Sequence, residues 1–347
     1  MKILFDINHP AQLNFFKIII ESLKKKGFEI HIATLNRGKI PDIIKRELPD
    51  FPLFIFGRKG KNAFDTLVFN ALDRLIQLFR LVKKNKYDLL AGTAIVQLAI
   101  IGKILKIPTI GLNDDPEFSS VMKILKGFLD VLFIPKSTNI TGKNIVQFNG
   151  LKEWSYLSPK YFEPNSEILK DYNLKEKEYY FIRYVDNNTM NYGFSDNDLI
   201  EKIVQDILKD KKVVLSLEDK SKISKFQNCI ILNEPVKDIH SLIYFSIMVI
   251  SNGDSIPREG ALLGVESLYC GHRDMAVNRF LEEKELLFIN NNLFEIEKII
   301  KEIESDVKIN SQNIQIEKRN NLLKEFDDLN IEFLKMIEKK IKEKNEN

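Results

Sequence analysis

Cysteine is nearly absent from this 347-residue chain: Cys229 and Cys270 are the only two. Two thiols cannot build a disulfide framework, and no CxxC or Cys/His spacing offers a structural zinc site. Both are read as buried apolar residues of a protein from a reducing compartment. Excess charge is missing as well, since 52 Lys+Arg against 49 Asp+Glu leave only +3. That balance argues against wholesale nucleic-acid binding and makes any basic surface a local matter. No stretch reaches the roughly 18 apolar residues of a membrane span, and the opening Met1-Lys2-Ile3-Leu4-Phe5-Asp6 meets a carboxylate after a very short apolar run. Neither a signal peptide nor an integral membrane segment is expected, and the expected location is cytoplasmic. There is no GxSxG elbow, no Walker lysine loop and no GxGxxG after the first strand, which argues against the serine hydrolase, P-loop NTPase and dinucleotide oxidoreductase classes.

What is present is an ordinary globular composition, 44% hydrophobic and 29% charged, on a chain longer than one core usually serves. Two domains are expected. Lys2–Ile7 reads as a central parallel strand, followed by Asn8-His9-Pro10 and a helix with Leu13, Phe16, Ile19, Ile20 and Leu23 at helical spacing. Lys24-Lys25-Lys26 and Gly27 supply its stop. The alternation continues with strands at Phe28–Thr34, Pro52–Phe56, Asp88–Gly92 and Thr109–Leu112, and helices at about Phe64–Lys84 and Ile95–Leu105. Strand after helix after strand predicts a doubly wound parallel sheet. Between about Asn149 and Lys177 the pattern breaks at Pro159, Pro164 and Trp154. A second α/β series follows, with strands at Tyr179–Tyr184, Lys212–Leu217, Cys229–Leu232 and Ser246–Ser251, and helices at Asn197–Lys209, about His240–Phe245, and after Ile256. The predicted organisation is a first domain over 1–155, a second over 156–313, and a helical tail over 314–347 that frays at its end.

In Ile247–Gly264 an apolar strand runs through Ser251-Asn252-Gly253-Asp254-Ser255 into a helix. Small residues at a strand-to-helix junction leave backbone N–H groups and the positive end of a helix dipole at the carboxyl edge of a sheet, a seat for a diphosphate. An ordinary capped turn fits Pro257 and Glu259 equally well.

Ser251-Asn252-Gly253-Asp254-Ser255, with Glu259-Gly260-Ala261-Leu262-Leu263-Gly264 after it, resembles the donor motif of GT-B enzymes and particularly the DUF354 family of glycosyltransferase-like proteins. Further segments resemble that family in the same order: Phe5-Asp6-Ile7-Asn8-His9-Pro10, Gly111-Leu112-Asn113-Asp114-Asp115-Pro116-Glu117, Asn149-Gly150-Leu151-Lys152-Glu153-Trp154 and Arg183-Tyr184-Val185. The family is similar in turn to non-hydrolysing UDP-N-acetylglucosamine 2-epimerases. The resemblance implies an α/β fold of GT-B type, two Rossmann-like domains with a cleft between them, and a nucleotide-sugar donor held by the second. It implies a diphosphate at Ser251, Gly253, Asp254 and Ser255, ribose hydroxyls on Glu259, and Arg183 near the diphosphate. A surface ion pair at a strand end is the other reading of Arg183. Family members often carry a histidine after this arginine, and 186–193 contain none.

Acid–base chemistry is expected of the first domain. His9, after strand one, is a candidate base for an acceptor hydroxyl, or else merely a helix cap. Asp114 and Glu117 are the other candidates, whereas Asp115 before Pro116 suits a helix N-cap. No metal is expected, because GT-B enzymes stabilise the leaving diphosphate with dipoles and side chains. His31 and His240 read as structural, and His272 and Arg273 as a solvated loop or else as contacts to the donor sugar or phosphate. Arg58-Lys59-Gly60-Lys61 ahead of an apolar helix ending in Lys83-Lys84 suggests either peripheral membrane contact or a helix covering the sheet. The leading functional expectation is metal-independent glycosyl transfer from a nucleotide diphospho-sugar to a glycan or lipid-linked acceptor in polysaccharide or glycoconjugate synthesis, at the inner face of the membrane or free of it. A UDP-sugar 2-epimerase and a catalytically silent nucleotide- or glycan-binding scaffold are the alternatives.

Overall fold

The first apolar run forms β1 (Lys2–Asp6), whose Ile3 and Phe5 pack to one side and Leu4 to the other, all fully buried. Burial on both faces makes β1 a central strand. It pairs in parallel with β2 (Glu29–Leu35) and β4 (Leu89–Thr93). With β3 (Leu53–Phe56), β5 (Thr109–Leu112), β6 (Val131–Pro135) and β7 (Ile145–Phe148) the result is a seven-stranded parallel sheet in the order β3-β2-β1-β4-β5-β6-β7. β6 and β7 extend it beyond the strands read from the sequence. The computed structural model describes residues 1–57, 70–93, 95–115, 119–185, 199–233, 235–306 and 311–346.

α1 (Pro10–Lys25) and α2 (Ile40–Glu47) cover one face of this sheet. α1 buries Leu13, Phe16, Ile19, Ile20 and Leu23, the residues whose spacing marked it, and Gly27 follows it at φ +84°. α3 (Asn70–Asn85), α4 (Val96–Leu105) and α5 (Ser119–Phe128) pack on the other face. The part of the expected helix before Asn70 lies outside the described residues, as does Arg58–Lys61.

α6 (Trp154–Leu157) carries the division between two structural units, Met1–Tyr156 with Asp327–Asn347 and Leu157–Phe326. After α7 (Ile168–Asp171), the second unit repeats the plan with β8 (Tyr180–Tyr184), β9 (Val213–Leu217), β10 (Ile230–Ile231), β11 (Met248–Ser251), β12 (Glu266–Tyr269) and β13 (Phe288–Ile289). These form a parallel six-stranded sheet, β10-β9-β8-β11-β12-β13. Its helices are α8 (Leu199–Lys202), α9 (Ile239–Tyr244), α10 (Ser255–Leu262), α11 (Ala276–Glu283), α12 (Leu293–Asp306) and α13 (Ser311–Leu323). The helix expected over Asn197–Lys209 is described as α8 followed by a π-helical turn over Ile203–Ile207.

The segment read as a tail divides between the units. α13 packs on α10, whose end is marked by Gly264 at φ +75°; a Cβ there would lie 2.7 Å from Ile316. α14 (Leu329–Glu346) returns to the first unit, where Phe333, Ile337 and Ile341 are buried in the core with α1. Phe333 sits edge-on to Phe15 and Phe16. Leu329, Phe333, Ile337 and Ile341 make α14 integral to that core as far as Ile341.

Both sheets grow outward from their first strand in two directions. The order therefore reverses between β1 and β4 in one unit and between β8 and β11 in the other. In open α/β sheets such reversals, at the carboxyl ends of the strands, are where ligands are held.

Candidate functional site

In the second unit Arg183 stands level with Ser251 across the β8–β11 reversal. Just beyond, the Asn252 side chain locks the two exits together: Oδ1 accepts from the Val185 N–H at 2.9 Å and Nδ2 donates to the Val185 carbonyl at 2.9 Å. Gly253 suits this closeness, because a Cβ on it would lie 2.6 Å from Val185 Cγ2, a methyl that would have to turn aside. Its N–H donates to Ser251 Oγ at 2.9 Å. Ser251 is fully buried, so its hydroxyl shapes the turn, and one of the N–H groups expected to face a diphosphate is already satisfied.

α10 begins immediately afterwards. Asp254 is its N-cap, yet the side chain makes no capping bond and instead accepts from Arg273 Nη1 at 2.8 Å. Arg273 is thus a partner of the helix start and not a solvated loop residue. Neutralising Asp254 leaves the positive end of the helix dipole unopposed, and the first N–H groups of any helix lack intrahelical acceptors. Ser255 and Ile256 are the only half-buried residues of the turn; the residues around them are buried. Gly260 sets α10 close upon the sheet, since a Cβ there would lie 2.4 Å from Ser267 Oγ and 2.9 Å from Val249 Cγ2.

Glu259 is buried in α10, its carboxylate 3.4 Å from His240 Nε2 on α9. His240, expected to be structural, stands beside Glu259 because α9 packs against α10, a pairing that nothing in its local sequence marks. Arg183 is half-buried and donates from Nη1 to Ser216 Oγ at 2.7 Å. This edge combines a helix start, a buried carboxylate with a histidine, and an arginine, a set suited to an anion bearing neighbouring hydroxyls.

The corresponding edge of the first unit is built from charged side chains. Arg74 of α3 is buried and donates through Nη2 to Asp6 Oδ1 at the end of β1 and, at 3.1 Å, to Asn8 Oδ1. Asn8 Nδ2 donates to Asp6 Oδ1 at 3.0 Å, and the Leu35 N–H donates to Asn8 Oδ1 at 2.9 Å. This lattice fixes the loop that carries His9. His9 is exposed and is the N-cap of α1, with Nδ1 accepting from the Ala11 N–H at 3.2 Å. An accepting Nδ1 has no proton, so the neutral ring carries its hydrogen on Nε2 and offers a donor there.

Asp114, after β5, is buried and accepts from Lys152 Nζ, which also lies 3.4 Å from Glu153 Oε1. Lys152 and Glu153 are buried too, which makes a cluster of two carboxylates around one ammonium. The motif around Trp154 contained both residues, but spacing alone could not link them to Asp114, 38 positions away. Asp115 donates its N–H to Asn113 Oδ1 at 3.0 Å, and Glu117 and Pro116 lie outside the described residues. Among the described residues no three His, Cys, Asp or Glu side chains converge as a metal-ligand set.

Of the remaining histidines, His31 is buried between Tyr87 (2.8 Å) and Glu29 (3.0 Å), and burial holds its pKa below the usual imidazole value. His272 is exposed and sits 3.2 Å from the Asn291 amide. Cys270 is buried, with its thiol pushed up to about 12, whereas Cys229 is only half-buried.

Set beside known proteins, the chain is 24% identical over 305 residues to an uncharacterized protein of Methanocaldococcus jannaschii, covering 84% of this chain and 88% of that one. Among solved structures it resembles the UDP-GlcNAc 2-epimerase of Methanocaldococcus jannaschii in complex with UDP-GlcNAc and UDP, with a TM-score of 0.68 at 15% identity over 87% of this chain and 92% of that one. It also resembles a glycosyltransferase of Rickettsia africae, with a TM-score of 0.63 at 14% identity over 99% and 98%. These likenesses establish the fold, the GT-B architecture of two Rossmann-like parallel sheets. A family model described as "Protein of unknown function (DUF354)" matches residues 1–339, and the chain belongs to that family.

Proposed function

We propose that this protein is a glycosyltransferase that uses a nucleotide diphospho-sugar as donor, bound by the second unit. The observation that carries this reading is the β11–α10 junction, where the Asn252 clamp, the Gly253 contact and the neutralised Asp254 present a helix start beside the buried Glu259. In this reading the α10 N–H groups and the Ser255 hydroxyl receive the diphosphate, Glu259 takes ribose hydroxyl protons, and Arg183 balances the leaving charge. Ser251, Gly253 and Asp254 act by shaping the loop. His9, whose capping bond occupies Nδ1, serves as an Nε2–H donor to substrate. The base for the acceptor hydroxyl is then Asp114 or Glu117. The acceptor is a glycan or lipid-linked sugar at the cytoplasmic face of the membrane, and transfer needs no metal.

Epimerisation at C2 is the second reading, favoured by the likeness to the Methanocaldococcus jannaschii epimerase. Nucleoside diphosphate release separates the two. A glycosyltransferase releases it only with acceptor present and continues to do so in EDTA, an epimerase exchanges the C2 proton with solvent without acceptor, and a binding scaffold does neither. Proton exchange without acceptor would replace the proposal with the second reading.

A further inference from the structure

We propose that the face formed by α3 and α4 docks on an anionic lipid bilayer. Leu72, Ile76 and Ile104 are 53%, 50% and 62% exposed there, large apolar side chains that a sheet-covering helix would normally turn inward. Between the two helices runs a groove of about 630 Å³ lined by Leu75, Ile76, Phe79, Ile100 and Ile104, with Arg80, Lys83 and Lys84 along it.

Charge identifies the occupant. α3, α4 and the neighbouring α5 carry seven Lys or Arg and a single acid, Asp73, in a chain whose total is nearly balanced. Asp73 accepts from Gln77 at 2.6 Å, and of the seven cations only Arg74 is turned into the core, onto Asp6. The opposite layer, made of α1, α2 and α14, alternates both signs and pairs them across elements, as in Lys17 with Glu47 and Lys26 with Glu338. Exposed apolar side chains flanked by cations of one sign match the interface of a bilayer rich in anionic headgroups, with the lysine stems reaching the phosphate level. A protein partner of balanced charge would leave these cations unmatched. The surface lies wholly within the first unit and does not depend on the reaction assigned above.

The test is cosedimentation of the full chain, without nucleotide, with vesicles of phosphatidylcholine alone or with 30% phosphatidylglycerol. Binding is expected only to the anionic vesicles, and 0.5 M salt should release it, because screening shortens the reach of the lysines. Lys83→Ala with Lys84→Ala should weaken binding about 30-fold, from about 1 kcal/mol per cation. Ile76→Ser should weaken it roughly tenfold. All three residues are exposed, so unchanged thermal unfolding is the folding control. No binding of the wild type at low salt, or equal binding by both variants, would overturn the proposal. So would an Ile76-dependent self-association seen by light scattering with no affinity for lipid, which would make a second copy the occupant.

Discussion

The two sheets share one strand grammar but fasten their carboxyl edges by different means. The first edge is tied by buried charge, Asp6 with Arg74 and Asp114 with Lys152 and Glu153. The second is tied by closeness, with Gly253, Gly260 and Gly271 in positions where a Cβ would meet its neighbours, and with the Asn252 amide clamped on backbone. Buried ion pairs add little net stability but are costly to break, and they place ionisable groups accurately. Small residues let a ligand's oxygens reach main-chain N–H groups. In the proposed transfer reaction the first edge moves protons and the second holds phosphate.

Breaking the charged edge should have the largest effect. Arg74→Met leaves Asp6 buried and uncompensated, and a loss of about 3–5 kcal/mol is expected in denaturant unfolding of the first unit. A loss below about 1 kcal/mol would mean that the Asp6–Arg74 pair does not hold this edge and that the lattice around Asn8 is incidental. Gly260→Ala tests the crowded edge: with Ser267 and Val249 in the way, a cost of about 1–3 kcal/mol is expected. Gly253→Ala meets only the tip of Val185, which can rotate, so it should cost less. Equal costs would show that closeness is not what organises the second edge.

His9→Ala isolates the exposed member of the first edge. Loss of the cap should lower stability by about 1 kcal/mol, while loss of a substrate donor should lower turnover by about 10²-fold. Normal turnover in the folded fraction would leave His9 as a cap alone. The smallest effect concerns His31. Its folded pKa is depressed, so the unfolded chain binds more protons between the two pKa values, and stability should fall as pH drops below about 6.5. His31→Gln should flatten that slope, and an unchanged slope would place the titration elsewhere.

How much of this was legible in the sequence follows the same contrast. The second edge could be read because its devices are local: Ser251 through Gly264 is one continuous stretch in which small residues announce a tight turn. The alternation of β1, α1 and β2 was readable for the same reason, since apolar periodicity and the Lys24–Gly27 stop are short-range signals. The first edge was only half readable. Asp114 and His9 could be named, but Lys152, Arg74 and Glu153 reach them from distant elements. Likewise, the pairing of His240 with Glu259 depends on α9 lying beside α10. Lys and Glu dominate the composition of α14, while its Phe333 meets Phe15 and Phe16 more than 300 residues earlier. Cross-element partners leave no local periodicity to read.

The most direct test of the donor site is calorimetric titration of UDP and UDP-sugars into the wild type and Glu259→Gln. Wild-type binding weakened about 5- to 100-fold in the variant is expected, the range for losing one charge-assisted hydrogen bond to a ribose hydroxyl, with unfolding unchanged. Equal affinity in a folded Glu259→Gln protein, or no binding of any nucleotide by the wild type, would contradict a donor site at the β11–α10 junction.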